Sequence, residues 1–142
     1  MTEPQPEPRG IGPGLILVRR IAPRAVESKT GRINAIAFNL RPAKGERELS
    51  FYDAAHVAYA DILRNAPGDG WLVASIEAAA LIELDFAVRF DDDAMDDLLG
   101  KHHVSARPPA YDDEGQIPLE LRARIAAAAA VVDGRNFLGG AD

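Results

Sequence analysis

Apolar residues recur along the chain in short runs that polar, glycine-rich or proline-rich segments separate. Each run is rich in branched or aromatic side chains, which is typical of β-strands. The runs occupy residues 15–21, 33–40, 49–52, 71–76, 86–90 and 102–106. Those at 33–40 and 71–76 are apolar at nearly every position, which indicates central strands covered on both faces, with Trp71 as a core anchor.

Several of the intervening segments have the apolar spacing or the propensity of helices. Residues 54–65 carry apolar side chains at intervals of three and four, behind Asp53 as a suitable N-cap. Residues 77–84 favour a short helix by propensity. Residues 91–99 favour a helical turn that begins with acidic residues. Residues 118–132 favour a helix with proline in its first position.

These elements predict an α+β domain that has a single mixed, mainly antiparallel sheet of about five strands and two or three flanking helices. The order of strands and helices is too irregular for a doubly wound fold, and no segment repeats. Residues 1–14 hold four prolines and three glycines, which predicts a flexible tail. We expect one folded domain over residues 15–138 and a disordered end at residues 139–142.

The chain has 142 residues, and 47% of them are hydrophobic, which suits one domain with a real core. It has no cysteine, which excludes a disulfide framework and a thiolate metal site and favours a reducing compartment. The first residues lack the basic and apolar regions of a signal peptide, and no apolar run is long enough to cross a bilayer. We therefore expect a cytoplasmic protein with no membrane partner.

Charge is distributed unevenly between the two parts of the chain. Up to Glu48 there are nine Lys and Arg against five Asp and Glu, and after it seven against seventeen, so the two parts carry +4 and −10. This asymmetry favours a basic patch for an anionic ligand in the first part and an acidic surface for a basic partner in the second. The net charge of −6 argues against nucleic acid as a general ligand.

The chain has three histidines, His56, His102 and His103, and they are the first candidates for proton transfer because histidine is the side chain whose unperturbed pKa lies nearest neutrality. His103 and Ser105 form a His-x-Ser segment that is similar to one of the two paired motifs of the two-histidine phosphoesterases. The segment that begins at His56 has no hydroxyl at the matching position, so the acid and base pair is incomplete. We interpret His103 as an ordinary strand histidine.

Acidic residues crowd the segment just before His102. They are Asp91, Asp92, Asp93, Asp96 and Asp97. Their spacing selects no ligand set for a divalent ion, and consecutive aspartates cannot all face one ion, so we expect no metal site. We interpret the cluster instead as a surface that contacts a protein partner.

Three segments of the first half follow one another in the order of a known family. An arginine at position 19 or 20 comes first, then the segment Gly31-Arg32-Ile33-Asn34, and then a Ser/Tyr pair that ends at Tyr52. This order resembles the small ADP-ribosyltransferase-like toxins of the RES group, although Ile33 replaces the aromatic residue of that family. The resemblance implies NAD as cofactor and Arg20, Arg32 and Tyr52 as catalytic candidates.

In that family a later glutamate completes the site, and here it would be Glu77 or Glu83. An arginine can grip a pyrophosphate bidentately, and a carboxylate can stabilise a developing ribosyl cation. The plainer interpretation of the same arginines is surface charge beside a strand.

A second resemblance covers more of the chain. Arg20-Ile21-Ala22-Pro23, Ala35-Ile36-Ala37-Phe38, Leu49-Ser50 and Gly70-Trp71-Leu72 follow the order of segments in a loose group of small uncharacterised bacterial proteins. This resemblance implies one compact bacterial domain and no particular activity.

Three functions follow from these features as expectations. The first is a non-enzymatic accessory protein that acts through a protein partner, in a bacterial defence or toxin and immunity system, without a cofactor. The alternative is an ADP-ribosyl-transferring or NAD-consuming enzyme. The third is a domain that senses a small ligand, since a binding pocket leaves no trace in sequence.

Overall fold

A computed structural model describes residues 11–12, 14–64, 66–91 and 102–132. Within these residues the chain forms the strands β1 (Ile16–Ile21), β2 (Leu49–Asp53), β3 (Leu72–Glu77), β4 (Ala87–Phe90), β5 (His103–Arg107) and β6 (Ala130–Val132). The α-helices are α1 (Tyr59–Leu63), α2 (Ala78–Glu83) and α3 (Leu119–Ala128). Short 3-10 turns lie at Pro23–Ala25, Ala35–Phe38, Pro42–Lys44 and Ala54–His56.

The strands that the structure describes form one open sheet of six strands in the order β4-β5-β2-β1-β3-β6. Every pairing between them is antiparallel. This architecture confirms the α+β class. Among the described residues, no helix has both the length and the apolar character needed to cross a bilayer.

The main core lies on one face of this sheet. Successive residues of a strand point to opposite faces, so Leu17 and Ile21 of β1 share the face on which Phe38 and Phe51 pack. Both aromatic rings are almost completely buried, which contributes about 2–3 kcal/mol each. Helices α2 and α3 and the Ala35–Phe38 turn complete this layer.

A smaller cluster occupies the opposite face. Val18 of β1 and Val73 of β3 pack there against Val57 and against Ile62 of α1. This face is therefore covered mainly where the short helix α1 crosses it, and β1 is buried on both sides.

The prediction of a central strand at residues 33–40 is wrong. The Asn34 side chain accepts a hydrogen bond from the Ile36 N–H at 3.0 Å and starts the 3-10 turn Ala35–Phe38. At the end of the segment, the Gln116 side chain bonds both backbone groups of Leu40, accepting from its N–H at 2.7 Å and donating to its carbonyl at 3.0 Å. Side chains thus take the hydrogen bonds that a neighbouring strand would otherwise make.

Two helix predictions are wrong in extent. The segment at residues 54–65 is divided between the Ala54–His56 turn and α1, with Val57 between them in an extended conformation. The helix predicted for residues 118–132 ends at Ala128, and the chain then forms β6, which pairs with the exposed edge of β3. Alanine-rich sequence suits the helix, but hydrogen bonding along a sheet edge outweighs a helix propensity of a few tenths of a kcal/mol per residue.

The predicted strands at residues 15–21, 49–52, 71–76, 86–90 and 102–106 are confirmed, with small shifts at their ends. The helix predicted at residues 77–84 is confirmed as α2. The acidic turn beyond Asp91, most of the tail at residues 1–14 and the end at residues 139–142 lie outside the described residues.

Candidate functional site

The sheet splits between its two central strands. β1 pairs with β3 along all of its residues, from Ile16 to Ile21. It pairs with β2 only at Leu17↔Asp53 and Val18↔Tyr52. Beyond these two pairs the strands separate, so the next residues of β1 and the first residues of β2 face a gap instead of each other.

Arg19 lies in this gap. Its Nη1 donates a hydrogen bond to the Ser50 carbonyl at 3.3 Å, a group that the missing strand pairing leaves without a backbone donor from β1. Its guanidinium carbon lies 5.6 Å from the ring centroids of both Phe38 and Phe51, within the range of cation–π attraction. The side chain therefore places a positive charge at the border of the main core.

Within the described part of the chain, the hydrogen-bonding groups of Arg19 are incompletely satisfied. Its Nε is buried and has no hydrogen-bond acceptor among the residues that the structure describes. Burial lowers the pKa of the Arg19 guanidinium to about 10, while the nearby Glu46 carboxylate raises it in part. Arg19 is thus still a cation at neutral pH, but one in an unfavourable environment. A buried polar atom without a partner is uncommon in native proteins and calls for an explanation.

A cleft of about 300 Å³ opens at the split. Residues from both sides of the sheet line it, and four of them are arginines: Arg19, Arg20, Arg24 and Arg41. Two carboxylates, Glu46 and Glu48, also line it. The electrostatics of the cleft depend on which of these charges are already paired.

Both carboxylates have arginine partners. Arg41 grips Glu46 through Nε, at 2.8 Å, and through Nη2. Burial raises the pKa of Glu46, but its hydrogen bonds from Arg41 bring the net pKa below the ordinary value, so it is ionised at neutral pH. Glu48 accepts a hydrogen bond from Arg89 of β4 at 3.0 Å.

The other three arginines have no carboxylate partner among the described residues. Arg19 bonds the Ser50 carbonyl, and Arg20 donates to the Ile62 carbonyl at the end of α1 at 3.4 Å. Arg24, in the Pro23–Ala25 turn, is exposed. The cleft therefore has an excess of positive charge held by guanidinium groups, which favours an anionic ligand.

The structure brings together only part of the set that the first resemblance implies. Arg20 and Tyr52 line the same cleft, while Arg32 lines a separate groove beside α3. Glu77 and Glu83 are both exposed, at the ends of β3 and α2, and neither lines the cleft.

Asp91 is the one member of the acidic cluster that the structure describes. Its Oδ2 accepts a hydrogen bond from the Ser105 hydroxyl at 2.9 Å and lies 3.7 Å from Nη1 of Arg89. The other members, Asp92, Asp93, Asp96 and Asp97, lie outside the described residues.

The histidines gather near one end of β2 and β5. Nδ1 of His56 lies 2.8 Å from Oδ2 of the buried Asp53, and the His56 ring stacks on His102 with centroids 5.0 Å apart. His103 is buried edge-on against Tyr52, its partner on the next strand, and burial lowers its pKa. Within the parts of the chain that the structure describes, no group of three or more His, Asp or Glu side chains is placed to hold a metal ion.

Sequence reasoning missed two features of the cleft. The first is the position of Arg19. Adjacent residues of a strand point to opposite faces of a sheet, so either Arg19 or Arg20 had to point toward the core. The pair of adjacent arginines in an apolar strand was the signal that could have shown this. Trp71 does not anchor the core. It is half-buried, belongs to neither hydrophobic cluster and contributes to the wall of the cleft.

Comparisons of this chain with protein-family models, with curated proteins and with solved structures found no match.

Proposed function

We propose that this protein is a binding domain for a small anionic ligand, which occupies the cleft where β1 and β2 separate. The observation that carries the proposal is Arg19, whose guanidinium lies in the split with a buried Nε that no described residue satisfies. Of the three functions expected from the sequence, this is the sensing domain for a small ligand.

The energetics of Arg19 support a binding role over a structural one. Removing a charged group from water costs several kcal/mol unless its partners compensate, and an apolar side chain of similar volume is often as stable or more stable at such a position. Among the described residues, the compensation consists of one carbonyl, two aromatic rings and the nearby Glu46 carboxylate. A cation retained under these conditions is a feature of sites where stability is given up for function.

The size and charge of the cleft support the same conclusion. A volume of about 300 Å³ is at the lower end of the range of small-molecule pockets. Arg19, Arg20 and Arg24 reach it from β1 and from the Pro23–Ala25 turn, and no carboxylate among the described residues forms a salt bridge with them. Guanidinium groups bind phosphate and carboxylate through paired N–H donors.

The test uses Trp71, the single tryptophan of the chain, as a reporter in the wall of the cleft. The purified protein is titrated with inorganic phosphate, pyrophosphate and sulfate while its fluorescence is followed, at low and at physiological salt. We expect saturable binding that Arg20→Gln weakens at least about tenfold, because a hydrogen bond between charged groups is lost.

Arg124→Gln is the matched control. Arg124 lies on α3, pairs with Glu120 at 2.8 Å and does not line the cleft. If Arg124→Gln weakened binding as much as Arg20→Gln, the effect would be one of general charge. Absence of saturable binding of any of these anions would refute the proposal.

One observation favours a second candidate, an enzyme that consumes NAD. Arg20 and Tyr52 line the same cleft, as the resemblance to the RES group implies. Incubation with NAD would then release nicotinamide, and Tyr52→Phe would slow the release. Protein that binds an anion in the cleft but neither binds nor cleaves NAD would remove this candidate and leave the binding domain in place.

A protein partner for the acidic cluster stays a prediction. The experiment that tests it is the joint substitution of Asp91, Asp92 and Asp93 by Asn, which should weaken capture of a defined partner if the cluster contacts it.

A cytoplasmic location, which the absence of cysteine favours, is part of the proposal.

A further inference from the structure

Trp71 has an unusual position for the only tryptophan of a small domain. Tryptophan side chains bury large areas and dominate cores, yet Trp71 is half-buried and outside both hydrophobic clusters. Within the described part of the chain its ring makes no aromatic or cation–π contact, and its Nε1 donates no hydrogen bond. The indole contributes instead to the wall of the arginine cleft, together with Pro67.

The local chain places Trp71 in this position. Gly70, with φ +79°, ends the turn before β3 in the left-handed conformation that glycine adopts freely. Its Cα approaches Pro23 so closely that an added Cβ would lie 3.3 Å from the Pro23 Cγ. Trp71 thus enters β3 from a turn that packs on the Pro23–Ala25 segment, the same segment that carries Arg24.

The cleft combines a flat aromatic surface with guanidinium groups that pair with no carboxylate among the described residues, and this combination fits a ligand that has both a planar ring and a phosphate. Indole rings stack on nucleobases, and every base offers a face to stack on. Guanidinium groups bind phosphate oxygens in pairs. We infer that the ligand is a free nucleoside 5′-phosphate, with its base against Trp71 and its phosphate at Arg19, Arg20 and Arg24. This inference depends on the proposed function.

A mononucleotide is favoured over a nucleic acid strand. The cleft is small, about 300 Å³, and the chain as a whole carries a net charge of −6, which repels a polyanion at long range. The arginines that line the cleft lie together at the split in the sheet, whereas single-strand binders follow the backbone with an extended basic groove.

Calorimetric titration with four probes tests the inference: inorganic phosphate, ribose 5-phosphate, adenosine 5′-monophosphate and adenosine. We expect adenosine 5′-monophosphate to bind about tenfold more tightly than ribose 5-phosphate, which is the increment that one stacked base supplies. Adenosine should bind more weakly than adenosine 5′-monophosphate, because it has no group for the arginines.

The variants separate the ring from the phosphate. Trp71→Leu should weaken binding of adenosine 5′-monophosphate much more than that of ribose 5-phosphate, so that the two affinities become similar. Trp71→Phe should restore part of the difference. Arg20→Gln should weaken both ligands about equally, and Arg124→Gln neither.

Each outcome has a defined meaning. Equal affinities of the two phosphates in the unsubstituted protein would overturn the nucleotide inference and leave the anion site in place. Failure of every phosphate to bind would overturn the proposed function and the inference with it. Tighter binding of a 5′-phosphorylated oligonucleotide than of the mononucleotide would overturn the assignment to a free nucleotide.

Discussion

Nη1 of Arg19 donates a hydrogen bond to the Ser50 carbonyl, 3.3 Å away, across the point where β1 and β2 separate. A side chain thus reaches a carbonyl where the β1–β2 ladder has ended. The same guanidinium lies near Phe38 and Phe51 on the core side and lines the cleft. The separation of β1 and β2 therefore places the positive charge of Arg19 in the candidate site.

Replacement of this arginine separates a structural role from a binding role. We expect Arg19→Met to change the free energy of unfolding by less than about 1 kcal/mol, because the lost hydrogen bond is offset by removal of a poorly satisfied cation. The same variant should abolish anion binding. Phe51→Ala, in the main core, should cost about 3–5 kcal/mol.

Urea unfolding and anion titration of the two variants check this expectation. A loss of stability by Arg19→Met that approaches that of Phe51→Ala would mean that Arg19 primarily supports the fold.

The hydrogen bonds between Gln116 and Leu40 predict a large effect from a loop residue. Gln116→Ala should reduce the free energy of unfolding by about 2 kcal/mol, since it leaves the Leu40 N–H and carbonyl without their side-chain partner. Gln116→Glu keeps an acceptor for the N–H but loses the donor to the carbonyl, so its effect should also be destabilising. Glu114→Ala, in the same exposed loop, serves as the control in chemical denaturation and should be nearly neutral.

Stability should depend on the protonation of His103. Burial lowers its pKa below the ordinary value of 6.5, with Asp91 and Glu48 opposing the shift and Arg89 adding to it. The unfolded chain therefore takes up this proton at a higher pH than the folded chain does. The free energy of unfolding should decrease as pH falls below about 6.5 and through the lower folded-state pKa.

The measurement is urea unfolding between about pH 8 and about pH 5, which covers the range in which histidine titrates. His103→Phe, which keeps a ring beside Tyr52, should remove part of this pH dependence. His56→Gln alters an exposed imidazole and provides the comparison. An unchanged pH profile in His103→Phe would show that other groups cause the dependence.

Gly45 and Gly70, two of the three described glycines with a φ of +79°, form a matched pair. An alanine at either position is strained, at a cost of about 1 kcal/mol. At Gly70 the new Cβ would also press on Pro23 at 3.3 Å, while at Gly45 nothing lies within 4 Å. Gly70→Ala should therefore destabilise more than Gly45→Ala in thermal unfolding and should also shift the Trp71 emission; equal effects would contradict the close approach to Pro23.

Short apolar runs were sufficient to locate the strands, because branched and aromatic side chains next to turn residues favour extended backbone in most contexts. The run at residues 33–40 had the same composition but forms a 3-10 turn. Periodicity cannot distinguish a buried strand from another buried conformation over so few residues. The distinction was made by Asn34 and by Gln116, which is distant in sequence.

The candidate site was predictable only in its residue types. The sequence by itself determined that the first part of the chain is basic, that two arginines interrupt an apolar strand and that one tryptophan follows a glycine-rich turn. Tertiary structure alone decided that β1 and β2 stop pairing after Val18 and Tyr52, and hence that Arg19 enters a cleft that Trp71 helps to line. The physical reason is that strand register and separation depend on the packing of both sheet faces, which involves residues far apart along the chain.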